Sequence, residues 1–408
     1  MDTNRGYELR VVLLLGLAYG FAYFDRMALS FVSPFVIEEL GLSNFQVSAL
    51  GSGLSATWAL GALVFGLLSD RLGRRKPFLL VAMVVFSLCS ILSGLSQGFW
   101  QLLAARMVMG AAEGPFLPIC LAIIIAASAE RRRGLNAGIV QNVFGAILGT
   151  AIAPVVLVWM AEEYSWRFAF LMAGVPGLIL AVLIWRFIDE PKPAAESDAR
   201  PATLGLALLK ERNIWLCSLI SCLLVGWVVV GSIFYPLYLV GPRALEPATM
   251  AMIMAALGLC PAIGGVLVTW ISDRVGRRPP LIGFSVLMAS SPMVMLWLDG
   301  PLPLFTAALF VGWIGMGVFP LFMGVIPGES LGRGLAATAM GLVVCIGELT
   351  GGVFAPLVAG WLADASGLAL PMVIMIALAG ASALVSLGLK ETNPAVLRGR
   401  GVMAGEFA

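Results

Sequence analysis

The chain has 408 residues, of which 60% are apolar and 12% are charged, and its net charge at pH 7 is +2. Soluble domains carry about twice that fraction of charged residues, so this composition excludes a surface that faces water on all sides. It predicts a membrane protein covered by lipid, and the small net charge offers no basic field for a nucleic-acid partner.

The composition also limits the chemistry. Histidine is absent, so proton transfer would have to use carboxylates. The six cysteines lie inside apolar runs without metal-ligand spacing, so the sequence predicts neither a metal site nor a cofactor. It also contains no recognisable nucleophile–base pairing or phosphate-binding loop, and we therefore expect a protein that is not an enzyme.

Twelve apolar runs follow one another, each long enough for the roughly 20 residues that cross a bilayer as a helix. The predicted spans are 9–31, 46–69, 77–96, 99–127, 134–160, 166–188, 213–240, 247–271, 279–298, 303–328, 334–361 and 367–389. We therefore predict an all-α membrane protein. Its predicted parts are an N-terminal six-helix bundle at 1–188, a cytoplasmic connecting loop at 189–212, a C-terminal bundle at 213–390 and a tail at 391–408.

Basic residues are concentrated in alternate connections. With the N-terminus inside, all fall on the cytoplasmic side except Arg26 and Arg106, which lie within spans, and Arg167 and Arg243. The opposite connections carry acids, namely Glu38, Glu39, Glu162, Glu163, Asp299 and Asp364. Because cytoplasmic loops are enriched in Lys and Arg, we predict that both termini are cytoplasmic. The short loops favour a bacterial inner-membrane protein.

The two halves of the chain are related in sequence. Ser69–Arg75 reads SDRLGRR, and Ser272–Arg278 reads SDRVGRR. A second set recurs at nearly the same shift, with Gly145, Gly149, Pro154 and Trp159 matching Gly347, Gly351, Pro356 and Trp361. Such repeats in a membrane chain are typical of transporters whose site lies between the two halves, near the midplane.

These motifs resemble the major facilitator superfamily over nearly the whole chain. Gly66–Arg75 is similar to the signature loop between helices 2 and 3, although the second copy has Thr269 in place of the first glycine. Arg106, followed by two spaced glycines, looks like the helix 4 signature. The resemblance implies twelve transmembrane helices in two pseudo-symmetric six-helix bundles.

Within the superfamily, Tyr23–Arg26 on helix 1 and Gly110–Pro115 on helix 4 are similar to the anion:cation symporter family. That family moves organic anions, so the resemblance implies a small organic anion as substrate. Spinster-type lipid transporters share an Asp–Arg pair and a helix 4 Arg/Glu pair at similar spacing. An exporter of lipids or hydrophobic compounds is therefore an alternative.

One face of helix 1 carries a polar and aromatic stripe of Tyr19, Tyr23, Arg26 and Ser30 at helical spacing. Charged side chains inside a membrane are costly and rarely face lipid. The resemblance implies that helices 1, 4, 7 and 10 line the central cavity. We therefore predict that Arg26 binds the substrate carboxylate, with Tyr19 and Tyr23 beside it. A structural arginine satisfied by backbone carbonyls is the alternative.

Three charged residues are predicted to couple transport to protons. At 1.5 Å of rise per residue, Asp25 and Arg106 lie at similar depth on antiparallel helices, so they can pair. Glu113 lies two turns deeper on the same face as Arg106. Each acid could take up a proton as the arginine changes partner. A fixed ion-pair network that holds helix 1 to helix 4 is the alternative.

Five further residues complete the predicted substrate site: Gln141, Asn142, Trp227, Tyr235 and Glu348. The two amides could instead hydrogen-bond between helices. The aromatic residues could be packing, and the acid could cap a backbone group. Apolar walls around one arginine favour a hydrophobic or aromatic carboxylate over a polyol acid.

The repeated loop motif is predicted to act as a conformational latch. Its residues are Gly66, Asp70, Arg71, Gly73 and Arg74 in the first half and Asp273, Arg274 and Arg277 in the second. The carboxylate of Asp70 is expected at the N-terminus of helix 11, near Gly334, where the helix dipole favours negative charge. Asp273 is expected to do the same for helix 5. The alternative is that the arginines only anchor the loops at the cytoplasmic surface, which would explain the arginines but not the repeated Asp and Gly.

The sequence therefore predicts a proton-coupled symporter of an organic anion, a carboxylate, that works by alternating access. Its expected partners are the anion, protons and the lipid bilayer, and we expect a monomer. Apart from export, a ligand sensor that does not transport is the remaining alternative.

Overall fold

The computed structural model describes residues 5–191, 208–331, 335–393 and 396–397. These residues form helices and connections without a strand, and twelve helices are long and apolar enough to cross a membrane. In chain order they are α1 Arg5–Leu40, α2 Asn44–Leu72, α3 Lys76–Leu95, α4 Phe99–Ala127, α5 Arg133–Glu163, α6 Trp166–Phe187, α7 Arg212–Val240, α8 Pro247–Val275, α9 Arg278–Trp297, α10 Leu302–Ser330, α11 Ala336–Ser366 and α12 Ala369–Ser386. The predicted fold class is confirmed.

The largest departure from the predicted spans is α1. It has 36 residues, which corresponds to about 54 Å and exceeds the roughly 30 Å of a hydrocarbon core. Glu38 and Glu39, expected in a connection, belong to its last turn, and Asp364 likewise lies within α11. The apolar pattern underestimates these helices because a helix continues after the chain leaves the apolar core.

Several of the long helices are locally irregular. In α4 the regular helix ends at Glu113 and resumes at Phe116, on either side of Gly114 and Pro115. In α5 the stretch Ile139–Ile152 is π-helical. π-Helical turns frequently occur at functional sites. The π-helical stretch of α5 lies on the helix that packs against the tyrosine stripe of α1.

Each copy of the repeated loop motif turns at a glycine. Gly73 follows α2 with a φ of 61°, and Gly276 follows α8 with a φ of 104°. A side chain is strained in this left-handed region, whereas glycine is not. The repeated glycine thus has a local cause, the abrupt end of each helix before the basic residues.

The chain divides into two compact units, Met1–Ser197 with Ser232–Leu259, and Asp198–Gly231 with Cys260–Ala408. Within the first unit, the hydroxyl of Thr150 on α5 donates to the carbonyl of Gly258 at 2.7 Å, which joins α5 to α8. Unit boundaries fall inside α7, after Gly231, and inside α8, after Leu259. The two sequence-defined six-helix bundles, with their connecting loop and tail, stay a prediction.

The predicted orientation can be tested with reporter fusions. Alkaline phosphatase fused after Glu163 or Asp364 should be active, because the positive-inside rule predicts that both sites face away from the cytoplasm. Fused after Arg131, between α4 and α5, it should be inactive, whereas green fluorescent protein at the same site should fluoresce. The reversed pattern at all three sites would contradict the orientation.

Candidate functional site

The polar stripe of α1 faces a small cavity inside the first compact unit. Its lining residues come from α1, α2 and α4 and are Tyr19, Ala22, Tyr23, Arg26, Trp58, Glu113, Phe116 and Leu117. The cavity volume is about 40 Å³, enough for water, whereas an apolar cavity that binds benzene measures about 150 Å³. A larger ligand must therefore displace side chains or extend beyond this cavity.

Arg26 is held in the cavity by an aromatic contact. Its guanidinium carbon lies 4.8 Å from the ring centroid of Trp58 on α2, a cation–π arrangement. The side chain is half-buried, so its donors remain available to an anion. The predicted alternative, an arginine that donates to backbone carbonyls, describes Arg106 and not Arg26.

Tyr19 and Tyr23 form one wall of the cavity. Their rings are stacked, with centroids 6.2 Å apart and planes at 16°. They pack against α5 at two glycines: a Cβ on Gly145 would lie 3.0 Å from the ring of Tyr19, and one on Gly149 only 2.3 Å from the ring of Tyr23. The second approach excludes any side chain, so Gly149 sets the position of the tyrosine wall.

Glu113 is the acid of the cavity. It is buried on α4, and its Oε1 has no hydrogen-bond partner. The cavity therefore combines one guanidinium, one carboxyl group and aromatic walls. If Glu113 is ionised, an anionic ligand that enters the cavity must compete with its carboxylate for electrostatic attraction to Arg26.

Asp25 and Arg106 lie behind this cavity, both buried. The guanidinium of Arg106 donates to the backbone carbonyls of Asp25, at 3.5 Å, and of Arg26, at 2.8 Å. The carboxylate of Asp25 instead accepts from the hydroxyl of Ser90 on α3 at 2.6 Å, and its Oδ2 has no partner. The predicted ion pair between Asp25 and Arg106 is not formed. Arg106 fastens α4 to the backbone of α1.

None of the other predicted substrate residues lines this cavity, and two of them lie in the second unit. Gln141 and Asn142 are exposed on α5, and Tyr235 is buried on α7; none of the three is among the lining residues. In the second unit Trp227 is 0% exposed and packs on Trp313 with ring centroids 5.2 Å apart. In its present position Trp227 is therefore a core residue.

Glu348, also in the second unit, is half-buried on α11. Four of the predicted site residues line the cavity around Arg26, namely Tyr19, Tyr23, Arg26 and Glu113.

Sequence reasoning missed Trp58 and Ser90. Trp58 is one tryptophan among 11, and nothing in the sequence distinguishes it from those that face lipid. Ser90 could have been found, because Ser87, Ser90 and Ser93 recur at helical spacing on an otherwise apolar helix. Such a polar stripe indicates a face turned toward other helices.

The first copy of the predicted latch is described only in part. Arg71 and Arg74 are exposed, the hydroxyl of Ser69 donates to the carbonyl of Arg74 at 2.9 Å, and Gly66 faces open space. The expected contact of Asp70 with Gly334 lies outside the described residues.

In the second copy, Arg277 forms ion pairs with Asp273, at 2.5 Å, and Glu329, at 2.7 Å. The guanidinium of Arg274 lies over the ring of Trp270 at 3.6 Å. Asp273 is thus paired within its own segment, and the role of these residues as a latch stays a prediction.

An additional ion pair joins the start of α1 to the loop between α4 and α5. Arg132 donates to both carboxylate oxygens of Glu8, at 2.9 and 2.5 Å, and the amide of Asn136 donates to the same carboxylate at 2.7 Å. The hydrogen bonds of Arg132 to the Glu8 carboxylate, and the charge of that carboxylate, raise the pKa of Arg132 above its ordinary value. Glu8 is buried, so the sequence-based focus on mid-membrane acids missed a well-bonded carboxylate at the helix end.

Comparisons with known proteins agree with this architecture. The family model of the Major Facilitator Superfamily matches residues 15–348 and 232–404. A probable 4-methylmuconolactone transporter of Cupriavidus pinatubonensis is 28% identical over 337 residues, which cover 80% of this chain and 78% of that protein. The hexuronate transporter of Bacillus subtilis is 28% identical over 324 residues, which cover 76% and 73%.

Among solved structures, a bacterial homologue of the human lysosomal transporter Spinster, in an inward-facing and occupied conformation, superposes with a TM-score of 0.81. It is 18% identical, and the match covers 95% of this chain and 97% of that one. At this level of identity the likeness shows the fold.

The different bonding of the two arginines predicts different stabilities. Arg106→Gln should lower the free energy of unfolding by about 1.5–3 kcal/mol, the usual contribution of hydrogen bonds from a charged group. Arg26→Gln removes a half-exposed cation–π contact and should cost about 0.5–1 kcal/mol. Thermal unfolding followed by size-exclusion fluorescence measures both. Equal shifts for the two variants would contradict the assignment of Arg106 as the residue that joins α4 to α1.

Proposed function

Because the chain belongs to the major facilitator superfamily, we propose that it is a proton-coupled symporter of an organic carboxylate that works by alternating access. The observation that carries the proposal is the cavity in which Arg26 and Glu113 lie together between aromatic walls. We further propose that the protein is a monomer in a bacterial inner membrane with both termini in the cytoplasm, as the distribution of basic residues favours.

The substrate carboxylate binds to Arg26. A guanidinium presents two parallel donors that match the two oxygens of a carboxylate. The names of both relatives refer to organic acids, which supports an anionic substrate here. Trp58 lies against the guanidinium at 4.8 Å and limits its orientations, so part of the ordering cost is met before the anion arrives.

Glu113 couples this binding to a proton. Charges that line one cavity interact strongly, because the effective dielectric constant there is well below that of water. An ionised Glu113 therefore attracts Arg26 and repels the incoming carboxylate. Protonation of Glu113 removes both effects, so the anion and a proton enter the cavity together. Buried acids without hydrogen-bond partners are the groups for which such proton uptake is least costly.

Asp25 is the second proton-coupling acid of the proposal. It lies beside Arg106, with one carboxylate oxygen unpartnered, and Arg106 connects the backbone of α1 to α4. A change in the charge of Asp25 thus alters the field at the residue that joins these helices. If Asp25 and Arg106 only hold the helices together, the Asp25→Asn substitution described below leaves coupling intact.

The aromatic walls suggest a shape for the substrate. Tyr19, Tyr23, Trp58 and Phe116 offer flat apolar faces and few hydrogen-bonding groups. Such walls favour an unsaturated or aromatic carboxylate over a polyhydroxylated acid, whose hydroxyl groups would lose their water. The named hexuronate relative makes a sugar acid the natural competitor in a binding panel, alongside muconolactone-type and benzoate-type acids.

The role of Arg26 can be tested by ligand-induced thermal shift. Arg26→Ala should weaken binding of the best carboxylate in the panel by thirty-fold or more, since loss of one partner of a buried charge pair costs about 2–5 kcal/mol. Arg26→Lys should bind with intermediate affinity, because it keeps the charge and loses the planar fork. The methyl ester of the same acid should bind weakly to all three proteins. Wild-type affinity in Arg26→Ala would place the anion site elsewhere.

The coupling role is tested separately in proteoliposomes. Glu113→Gln and Asp25→Asn keep the shape of each side chain but cannot carry a proton. Each should abolish accumulation of the carboxylate driven by a pH gradient, while Glu113→Gln still exchanges labelled for unlabelled substrate. Ser90→Ala, which removes the hydrogen bonds of this hydroxyl to Asp25 and to the carbonyl of Phe170 but leaves both acids in place, serves as the control and should keep gradient-driven uptake. Undiminished accumulation in both acid variants would make these residues structural.

A further inference from the structure

A second and larger cavity lies on the outside of the first compact unit, between α2, α3 and α4. Its volume is about 180 Å³, and its walls include Phe65, Phe78, Val81, Val108, Ala111 and Pro115. It shares no lining residue with the cavity around Arg26. An apolar cavity of about 150 Å³ is large enough to bind benzene, so this one can hold a segment of a hydrocarbon chain.

The cavity forms where α2 leaves α4. Farther from its C-terminal end, α2 touches α4 directly: a Cβ on Gly61 would lie 2.2 Å from the carbonyl oxygen of Ala111. One turn after Gly61 the chain has the large residue Phe65, and a Cβ on the next residue, Gly66, would have no atom within 4 Å. The two helices therefore separate beyond Gly61, and the space between them is closed on its third side by α3.

The opening of the cavity faces the surroundings of the helices. Val81 is 63% exposed and Val108 is 52% exposed, although both are apolar and lie on membrane-spanning helices. A groove of this kind in a membrane is in contact with lipid chains. It runs along α3 from Phe78 to Val85, a length of about 10 Å at 1.5 Å per residue.

One end of the groove carries positive charge. Arg74 is exposed and lies two residues before α3 begins at Lys76, four residues before Phe78. Arg71, at the end of α2, is also exposed. Lys76 lies at the same end and donates from its Nζ to the carbonyl of Trp185 at 2.8 Å. Although Glu190 accepts there from the backbone of Arg75 and Lys76, cations predominate.

From this combination we infer that the groove is a binding site for an anionic phospholipid, whose acyl chain lies between α2, α3 and α4 and whose phosphate contacts Arg71 and Arg74. The apolar walls suit the chain, and the exposed guanidinium groups suit a phosphate, which they bind with two donors. A neutral lipid would fill the same walls but would gain nothing from the basic end. The inference does not depend on the transported substrate.

Photocrosslinking to the purified full-length protein tests this site. Phosphatidylglycerol with a diazirine in one acyl chain is added in detergent, irradiated and located by peptide mass spectrometry. Label should concentrate on 78–85 and 108–115. Unlabelled phosphatidylglycerol should compete about tenfold better than phosphatidylcholine, since only its net charge favours the basic end.

Matched substitutions separate this groove from the general lipid surface. Val81→Phe fills the groove, and the loss of about two methylene groups of buried chain should reduce labelling about tenfold. Val182→Phe is the control, because Val182 is equally exposed, at 62%, on α6, and it should label as wild type. Arg74→Gln should remove the preference for phosphatidylglycerol, whereas Arg131→Gln, another exposed arginine, should not.

Two results would overturn the inference. Label spread over all exposed apolar positions, unaffected by Val81→Phe, would mean that no chain-binding groove exists. Equal competition by phosphatidylcholine, or by a free fatty acid, would mean that the occupant is not selected as an anionic phospholipid.

Discussion

The structure depends on the cost of placing charge inside a protein that lipid surrounds. Four charged side chains lie away from the ends of α1 and α4, namely Asp25, Arg26, Arg106 and Glu113, and each is stabilised differently. Arg106 donates to backbone carbonyls, although its Nε has no partner, and Asp25 accepts from a serine through one of its two oxygens. The guanidinium of Arg26 lies over an aromatic ring. Glu113 has an oxygen with no partner at all. Because Glu113 has the fewest partners that stabilise its negative charge, its charge is the one most easily changed by a proton or a second ion.

Close packing of α1 on α5 turns this electrostatic arrangement into a defined cavity. Gly149 allows the ring of Tyr23 to lie directly on the backbone of α5, and the π-helical stretch of α5 runs through the same contact. The second half repeats the arrangement within its own unit, where a Cβ on Gly351 would lie 2.1 Å from the carbonyl oxygen of Cys222 on α7. The glycines that recur in sequence are therefore the points at which helices touch.

Much of the fold could be predicted because its cause is local. Twenty apolar residues in a row are sufficient for a spanning helix, and the repeated Gly73 and Gly276 end helices through their own φ angles. Helical spacing on α1 predicted that Tyr19, Tyr23 and Arg26 share a face, whereas Glu113 was predicted to follow Asp25 and Arg106 and instead lines the cavity with Arg26. The outer end of α1 was less predictable, because polar residues such as Glu39 continue a helix as readily as they begin a loop.

What the sequence could not predict depends on how one helix is rotated against another. The partner of Arg26, Trp58, is on α2, whose apolar sequence does not indicate which face turns inward. Arg106 lies beside Asp25, yet its guanidinium bonds to the backbone of α1 and the carboxylate of Asp25 bonds to Ser90. Differences of a few ångströms in helix position decide between these partners, and side-chain spacing along one helix contains no such information.

The central claim is that Glu113 and the substrate compete for the field of Arg26. Its most direct test is the pH dependence of carboxylate affinity, measured by isothermal titration calorimetry on wild-type protein and on Glu113→Gln. If only the protonated acid admits the anion, the wild-type Kd should rise by up to about tenfold per pH unit as Glu113 ionises. Glu113→Gln, which mimics the protonated acid, should bind with a Kd that stays constant over the same range. An equal pH dependence in both proteins would contradict the account, because the proton would then be taken up by another group.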